Sequence, residues 1–197
     1  MGKPHAQRKD EIIRSALDLA AETGVKKVTT QAIADRVGIA QATVFRHFKS
    51  RDSIFAEAIE WLAGQLFETL ATCFNDRTLA ANERLNMLIQ RQLGFISRHK
   101  GLPRLLFSDR LHIESPALKG VVQTIMNRYT QQLVLLIDDG KASGCFKQDV
   151  NSIETATLIT ALVQGTVMRW SIFDFDFELE DQAAPIQKFL TNILNTR

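Results

Sequence analysis

Cysteine, tyrosine and long apolar runs are scarce in this sequence. Its 197 residues contain two cysteines, one tyrosine and four prolines, and Cys73 and Cys145 stand in no metal-ligand spacing. No apolar run approaches the roughly 20 residues of a membrane-spanning helix, and the N-terminus lacks the apolar block of a signal peptide. These absences predict a cytoplasmic protein with no membrane association and with reduced, buried thiols. A redox-sensing pair of the two cysteines is the alternative.

Motifs of catalysis are missing as well. The sequence has no glycine-rich phosphate loop after a strand, no nucleophile elbow and no cluster of His, Cys and Asp at ligand spacing. The four histidines are scattered, and the repeated Glu-x-x-His pairs of helical-bundle metal enzymes do not occur. The sequence therefore predicts a protein that is not an enzyme and that needs no metal or other cofactor.

Periodic apolar residues are what the chain has instead. Its apolar content of 45% and charged content of 23% are those of an ordinary globular protein, and its length suffices for a substantial core. The apolar residues recur at helical spacing along nearly the whole chain, which predicts an all-α fold. Helices are predicted over 8–22, in two short pieces within 29–51, over 51–74, over 83–98 with a stop at Gly101, from Pro103, from Pro116 to Gly140 or Gly144, over 151–173 and over 181–195. Residues 1–7 are predicted to form a solvated tail.

Two short helices joined by a tight turn are predicted within residues 29–51. Thr29 or Thr30 is expected to cap the first helix, because a β-hydroxyl there accepts a hydrogen bond from an unpaired backbone N–H. Gly38 has no Cβ, so it can end that helix in the left-handed conformation and turn the chain into the second helix. Val44 is expected to anchor the second helix in the core.

The outer face of the second helix carries hydrogen-bonding side chains, namely Gln41, Thr43, Arg46 and His47. A helix of this kind, placed after a turn of about 3–4 residues, enters the DNA major groove in helix-turn-helix proteins. Gln can pair with an adenine edge, and the methyl group of Thr or Ala can lie against that of thymine. The outer face therefore has the residue types that read base pairs.

Positive charge is concentrated in the N-terminal part of the chain, which contains these two helices. Residues 1–52 hold ten Lys and Arg against six Asp and Glu, whereas residues 53–197 hold fourteen against sixteen. From Val37 to Arg51 there is no acidic residue. This stretch can therefore approach phosphate.

The segment resembles the DNA-binding domain of the TetR family of bacterial transcriptional regulators. The residues that carry the resemblance stand in the family's usual order and spacing, over about the first quarter of the chain: Thr30, Ile33, Ala34, Gly38, Ile39, Ala42, Thr43, Val44, Phe45, His47, Phe48, Ser50, Arg51 and Asp52. The remainder is similar to the family in length and helical pattern.

The resemblance implies an N-terminal three-helix domain over 8–50 that binds DNA and a helical domain over 51–197 that binds an effector and dimerises. It further implies a regulator, typically a repressor, that binds a palindromic operator in double-stranded DNA as a homodimer and is released by a small, largely apolar effector. The residues expected to contact DNA are Thr30, Gln31, Gln41, Ala42, Thr43, Phe45, Arg46, His47, Lys49 and Arg51.

Three positions depart from the family's usual pattern. Phe45 stands where a tyrosine is usual, so a hydrogen bond from a phenol to phosphate is missing. Arg51 replaces the usual lysine and keeps its charge. Ala40 stands where a capping serine is frequent, which leaves the second helix of the motif without a side-chain cap.

The resemblance also assigns the second domain its two surfaces. The candidates for contact with the effector are Trp61, Phe67, Phe95, Phe107, Met126, Arg169 and Trp170. The last two helices pair with their two-fold mates in the family, and the candidates for that dimer interface are Ala161, Gly165, Met168, Ile186, Phe189, Leu190 and Ile193. For Arg169, an anchor for an anionic effector competes with an ion pair to Asp174 or Glu178 and with simple exposure to solvent.

A protein-interaction module built on the same scaffold is the alternative function. Phe45 and the uncapped Ala40 favour it, because both weaken contact with DNA. The acid-free stretch from Val37 to Arg51 argues against it.

Overall fold

The computed structural model describes residues 4–196. Its regular secondary structure over these residues is helical, apart from one isolated β-bridge between Phe146 and Asn195, so the predicted all-α fold is confirmed. The α-helices of the described chain are α1 His5–Thr23, α2 Thr30–Val37, α3 Gln41–His47, α4 Arg51–Asn75, α5 Ala81–Ser97, α6 Gly101–Leu106, α7 Pro116–Ala142, α8 Ser152–Ile172 and α9 Ala183–Leu194.

The N-terminal prediction needs a correction. Residues 1–7 were expected to form a tail, but α1 already begins at His5. Residues 1–3 lie outside the described residues. Three further elements of the described chain were not predicted. A 3-10 turn at Val25–Lys27 follows α1, a single π-helical turn occupies Arg110–Glu114, and a second 3-10 turn at Leu179–Gln182 leads into α9.

Capping residues that the sequence offers mark the starts of α2, α4 and α7. The Thr29 hydroxyl accepts a hydrogen bond from the Ala32 N–H at 3.0 Å, which identifies the cap of α2. Ser50 and Ser53 satisfy each other's backbone N–H groups at 3.1 Å at the start of α4. Ser115 stands directly before Pro116 and accepts from the Leu118 N–H at 3.4 Å. Local side-chain chemistry therefore defines where these helices begin.

The described residues fall into two compact units. One comprises the chain up to Ala63 together with His99–Gln123, and the other comprises Gly64–Arg98 together with the chain from Thr124 onward. The core of the first unit includes Ile12, Ala16, Ile33, Val44, Phe48, Ile54 and Phe55, and that of the second includes Leu70, Leu88, Leu93, Leu133, Phe146, Val163 and Leu194. The division into a DNA-binding domain over 8–50 and an effector domain over 51–197 stays a prediction.

Gly101 does not end the preceding helix as expected. The helix α5 already ends at Ser97, and Gly101 is the first residue of α6. A Cβ atom placed on Gly101 would lie 2.1 Å from the carbonyl oxygen of Leu17 in α1. The glycine is therefore required where two backbones of the first unit approach each other, because any side chain would collide with a peptide group.

Both cysteines are free thiols. Cys73 is fully buried, and burial raises the pKa of its thiol although the Arg91 guanidinium lies 3.8 Å from its Sγ. A buried thiol with a raised pKa forms little thiolate and reacts slowly with oxidants. This environment favours the interpretation of Cys73 as a small core residue over a redox sensor.

Across the described chain, none of the helices combines the length and apolarity that crossing a membrane requires.

Candidate nucleic-acid interface

The turn between α2 and α3 has the geometry that the sequence predicted. Gly38 adopts φ 72° and ψ 40°, the left-handed conformation. Its N–H and that of Ile39 donate to carbonyl groups in the last turn of α2, at 3.2 Å to Asp35 and 3.0 Å to Ala34. The chain therefore leaves α2 through a hydrogen-bonded glycine turn and enters α3 after two residues.

Buried anchors on one side of α3 leave its other side open. Val44 is completely buried and Phe48, just after the helix, is 2% exposed. The predicted contact residues with exposed side chains are Gln31, Ala42, Phe45, Arg46 and Lys49, whereas Thr30, Gln41, Thr43, His47 and Arg51 are half-buried. Since α3 has no side-chain cap at Ala40, this helix depends on its buried side for its position.

The amides of two predicted DNA contacts, Gln41 and Gln31, have partners within the chain. The Gln41 Nε2 donates to the Thr30 Oγ1 at 2.8 Å, and the Gln31 Nε2 donates to the Asp35 Oδ1 at 2.6 Å. The first bond links the start of α3 to the start of α2 and restricts the rotamers of Gln41. Base recognition by Gln41 would therefore use a side chain that is already oriented.

His47 lies at the end of α3 against a residue that was assigned to the tail. The His5 and His47 rings are tilted by 44° with their centroids 4.3 Å apart. Burial lowers the pKa of His47, and the electrostatic influence of His5, Arg46, Arg8 and Lys9 lowers it further. Its Nδ1 is buried and has no hydrogen-bond partner among residues 4–196. His47 is therefore held neutral near pH 7.

Replacing His5 tests this environment. In His5→Ala the pKa of His47 is expected to rise toward its usual range near 6.5, because the ring gains solvent and loses the electrostatic influence of His5. The stability that neutral His47 contributes is present above the usual pKa and is lost as the pH falls below it, since the unfolded chain then binds the proton more readily. The loss at acidic pH should be smaller in the variant.

The pKa of His47 is measured in the wild type and in His5→Ala by following the NMR signals of its ring as a function of pH. His112→Ala is the control. The His112 Nε2 lies 2.9 Å from the Leu106 carbonyl oxygen, and His112 is not among the groups that lower the pKa of His47. An unchanged His47 pKa in His5→Ala would contradict the role given to His5.

Arg51, one of the predicted DNA contacts, is half-buried at the start of α4. Its Nη1 donates to the carbonyl oxygen of Val28 at 3.3 Å, just before α2. The exposed cations near α3 are therefore Arg46 and Lys49. Another arginine, Arg36, links α2 to α1. It donates two hydrogen bonds of 2.6 Å to Glu22 of α1, and this pairing lowers the pKa of the Glu22 carboxyl.

The candidates for effector contact have diverse environments. In the first unit, Phe107 and Trp61 are half-buried. The Arg14 guanidinium lies 5.0 Å from the ring centroid of Trp61. In the second unit, the Arg128 guanidinium lies 4.0 Å from the ring centroid of Phe67.

Three other candidates of the second unit differ in exposure. Phe95 and Trp170 are core residues, and the Trp170 Nε1 donates to the Phe177 carbonyl at 2.8 Å. Met126 is 38% exposed. Arg169 is also exposed, and its guanidinium lies 4.7 Å from the ring centroid of Phe173.

The dimer candidates divide clearly by exposure. Ile186 and Leu190 are buried in the second unit, at 7% and 5% exposure. The other five are exposed together with further apolar residues of α8 and α9 and with Phe173, directly after α8. The exposed set is Ile153, Leu158, Ala161, Gly165, Met168, Ile172, Phe173, Phe189 and Ile193. We call this set the α8–α9 apolar surface. Most of its α8 members recur every three or four residues, as on one side of a helix.

The chain matches known proteins along most of its length. Residues 12–58 match the model of the bacterial regulatory proteins of the tetR family, and residues 61–193 match that of the YsiA-like protein C-terminal region. The nucleoid occlusion factor SlmA of Klebsiella pneumoniae is 27% identical over 175 residues, which is 88% of each chain.

Solved structures share the fold. The regulator FadR of Bacillus subtilis, in complex with stearoyl-CoA, has a TM-score of 0.82 at 21% identity and covers 92% of this chain and 97% of its own. A regulator of Saccharomonospora viridis, in complex with choline, has a TM-score of 0.83 at 21% identity and covers 98% and 100%. With both parts of the chain matched and the helix-turn-helix geometry in place, this protein belongs to the tetR family of bacterial regulatory proteins.

Proposed function

We propose that this chain is a homodimeric repressor that binds a palindromic DNA operator and is released by a small, largely apolar effector. The observation that carries the proposal is α3 itself. Its buried side is anchored by Val44 and Phe48, while Ala42, Phe45 and Arg46 are exposed in a stretch without an acidic side chain. A short helix with this exposed surface suits the major groove.

The α8–α9 apolar surface supports the homodimer. Large apolar side chains such as Leu158, Ile172 and Phe189 are 69%, 63% and 54% exposed. Those that recur at helical spacing along α8 share one side of that helix, and apolar patches of this kind mark interaction sites. The exposed small residues Ala161 and Gly165 would let a second helix approach closely. A two-fold dimer would present two copies of α3 to half-sites spaced about 34–36 Å apart.

The proposed effector acts by preferring one state of the dimer. FadR of Bacillus subtilis binds stearoyl-CoA and the Saccharomonospora viridis regulator binds choline, so this fold accommodates chemically different ligands. Of the aromatic candidates for contact with such a ligand, the half-buried Phe67 of the second unit has surface that a ligand can reach. Release from DNA requires that the effector bind the non-binding conformation more tightly than the DNA-bound one.

Selection of bound duplexes from a random DNA pool tests the proposal. We expect a palindromic site whose affinity falls with salt, with a slope of log K against log salt of about −0.9 per neutralised phosphate. Lys49→Gln should make the slope shallower by about 1, whereas Lys188→Gln, an exposed lysine of α9, should leave it unchanged. The absence of any enriched site would count against the repressor.

A protein-interaction module is the second candidate. It is supported by Phe45 in place of a tyrosine and by the uncapped start of α3. The same titration separates the two, because a module of this kind would bind duplexes weakly and without a preferred sequence.

Phe45→Tyr provides a prediction on the interface itself. The Phe45 side chain is 51% exposed, so an added hydroxyl has room to reach a phosphate. We expect tighter binding to all duplex sequences alike, by roughly 1 kcal/mol or about fivefold. The measurement is a titration of operator and random duplex at one salt concentration. Phe45→Leu is the control and should bring no gain; an equal gain there would exclude a hydrogen bond as the cause.

A further inference from the structure

A cleft of about 250 Å³ lies within the first compact unit, apart from the exposed side of α3. Three segments surround it: the turn after α1, the first residue of α4, and the chain from α6 into the π-helical turn. Its lining residues are Gly24, Val25, Lys26, Arg51, Arg104, Phe107, Ser108, Asp109, Arg110 and Glu114. The volume is slightly below the roughly 300–1,000 Å³ of pockets for drug-sized ligands, so the cleft suits a smaller molecule or group.

Cations outnumber carboxylates in the lining by four to two. Arg110 is the best compensated of them: its Nε donates to Asp52 at 2.7 Å and its Nη1 donates to Glu114 at 3.0 Å. These pairs raise the pKa of the guanidinium. Arg110 is therefore fixed as part of the wall, with its charge neutralised by the protein.

Arg51 is compensated differently. It is half-buried, and its hydrogen bond goes to the neutral carbonyl of Val28 at 3.3 Å. Within residues 4–196, no carboxylate lies at ion-pair distance from it. Partial burial of a cation without a counter-charge is unfavourable, and an anion in the cleft would remove that cost.

Lys26 can contribute to the same anion. It meets Asp109 only at 3.8 Å, with the two side chains 85% and 65% exposed. Exposed pairs at such distances contribute little, so a ligand with a higher charge density can displace Asp109. Lys26 and Arg51 together offer two positive charges at one opening, beside the apolar ring of Phe107.

We propose that this cleft binds a small phosphate-bearing anion, of about the size of pyrophosphate, through Arg51 and Lys26. Arginine suits phosphate oxygens because its planar N–H groups can donate in pairs, and lysine adds a mobile point charge. The position of Phe107 leaves apolar surface for an organic part of the ligand. Glu114 opposes binding, because it is a carboxylate in the lining and more exposed than its partner Arg110.

Calorimetric titration of the full chain with sodium pyrophosphate tests this site in the absence of DNA, so its outcome does not depend on the proposed function. Lys26→Gln is expected to weaken binding about three- to fivefold, the scale of one exposed ion pair. Lys27→Gln is the matched control: the adjacent residue is exposed in the same turn and does not line the cleft. Glu114→Gln is expected to tighten binding by a similar factor.

Two results separate binding in the cleft from attraction by net charge: the direction in which Glu114→Gln changes the affinity for pyrophosphate, and the difference in affinity between Lys26→Gln and Lys27→Gln. Arg51→Lys should retain part of the binding, because it keeps the charge and loses the paired donors, whereas Arg51→Gln should abolish it. Absence of measurable binding to the wild-type chain would overturn the proposal. Equal weakening by Lys26→Gln and Lys27→Gln would also overturn it, because it would show attraction by net charge alone.

Discussion

Gly101→Ala is expected to lower the free energy of unfolding by about 3 kcal/mol or more, at the upper end of the cost of overpacking. The new methyl carbon would lie 2.1 Å from the Leu17 carbonyl oxygen and 2.8 Å from the carbonyl carbon. These are backbone atoms in the middle of α1, so relief requires that α6 move away from α1. The thermal midpoint should fall by roughly 6–12 °C, at about 2–4 °C per kcal/mol for a chain of this size.

Gly120→Ala is the matched control for this substitution. Gly120 lies within α7, in the same compact unit, and a Cβ placed there meets nothing within 4 Å. Alanine should stabilise the helix by about 1 kcal/mol, because it has the higher helix propensity. Thermal unfolding followed by circular dichroism distinguishes the two, and a midpoint for Gly101→Ala at or above that of the wild type would refute the close approach.

Arg84→Met is expected to destabilise the second unit by about 3–5 kcal/mol, the cost of breaking a buried charged network. Arg84 is 2% exposed. Its Nε donates to the Cys73 carbonyl at 2.9 Å, and its Nη2 donates to the Phe74 carbonyl at 2.6 Å. Both carbonyls belong to the last turn of α4, where the helix supplies no N–H donors of its own. Arg84 therefore caps α4 from another helix, and methionine would leave these carbonyls buried without donors.

Arg77 provides a comparison for Arg84, because both arginines pair with Asp139. The Arg84 Nη1 lies 3.2 Å from Asp139, and the same carboxylate pairs with Arg77, also at 3.2 Å. Arg77 is 76% exposed, so Arg77→Met should cost less than about 1 kcal/mol. Urea unfolding of both variants measures the difference. Similar losses in the two would mean that the pairing with Asp139, and not the capping of α4, is what Arg84 provides.

Much of the architecture follows from local sequence signals. The residues that begin and end helices act within four positions of themselves, as Thr29, Gly38 and Ser115 do, so one sequence suffices to place them. The buried side of α3 was likewise predictable, because Val44 and Phe48 are the large apolar residues at helical spacing in that segment. The family resemblance then extended this local evidence to the whole fold.

Contacts between distant parts of the chain were not predictable in this way. Nothing in the composition of residues 1–7 indicates that His5 packs on His47, or that α1 begins so early. Gly101 stands after a predicted helix, where a glycine commonly serves as a stop, and only the approach of Leu17 reveals its other role. Arg51 sits in a basic run that suits phosphate, yet its hydrogen bond goes to Val28, 23 residues earlier. Each case depends on tertiary packing that a single sequence does not specify.

The exposure of the α8–α9 apolar surface has a consequence for the stability of the chain, if a dimer covers that surface. A single chain exposes Leu158, Ile172 and Phe189 to water, which is unfavourable and promotes aggregation. If a second copy covers that surface, association stabilises the folded chain by mass action, and the melting temperature rises with the concentration of the chain. Newly made chains would then be most vulnerable to proteolysis when they are few, so the amount of active regulator would fall faster than the rate of its synthesis.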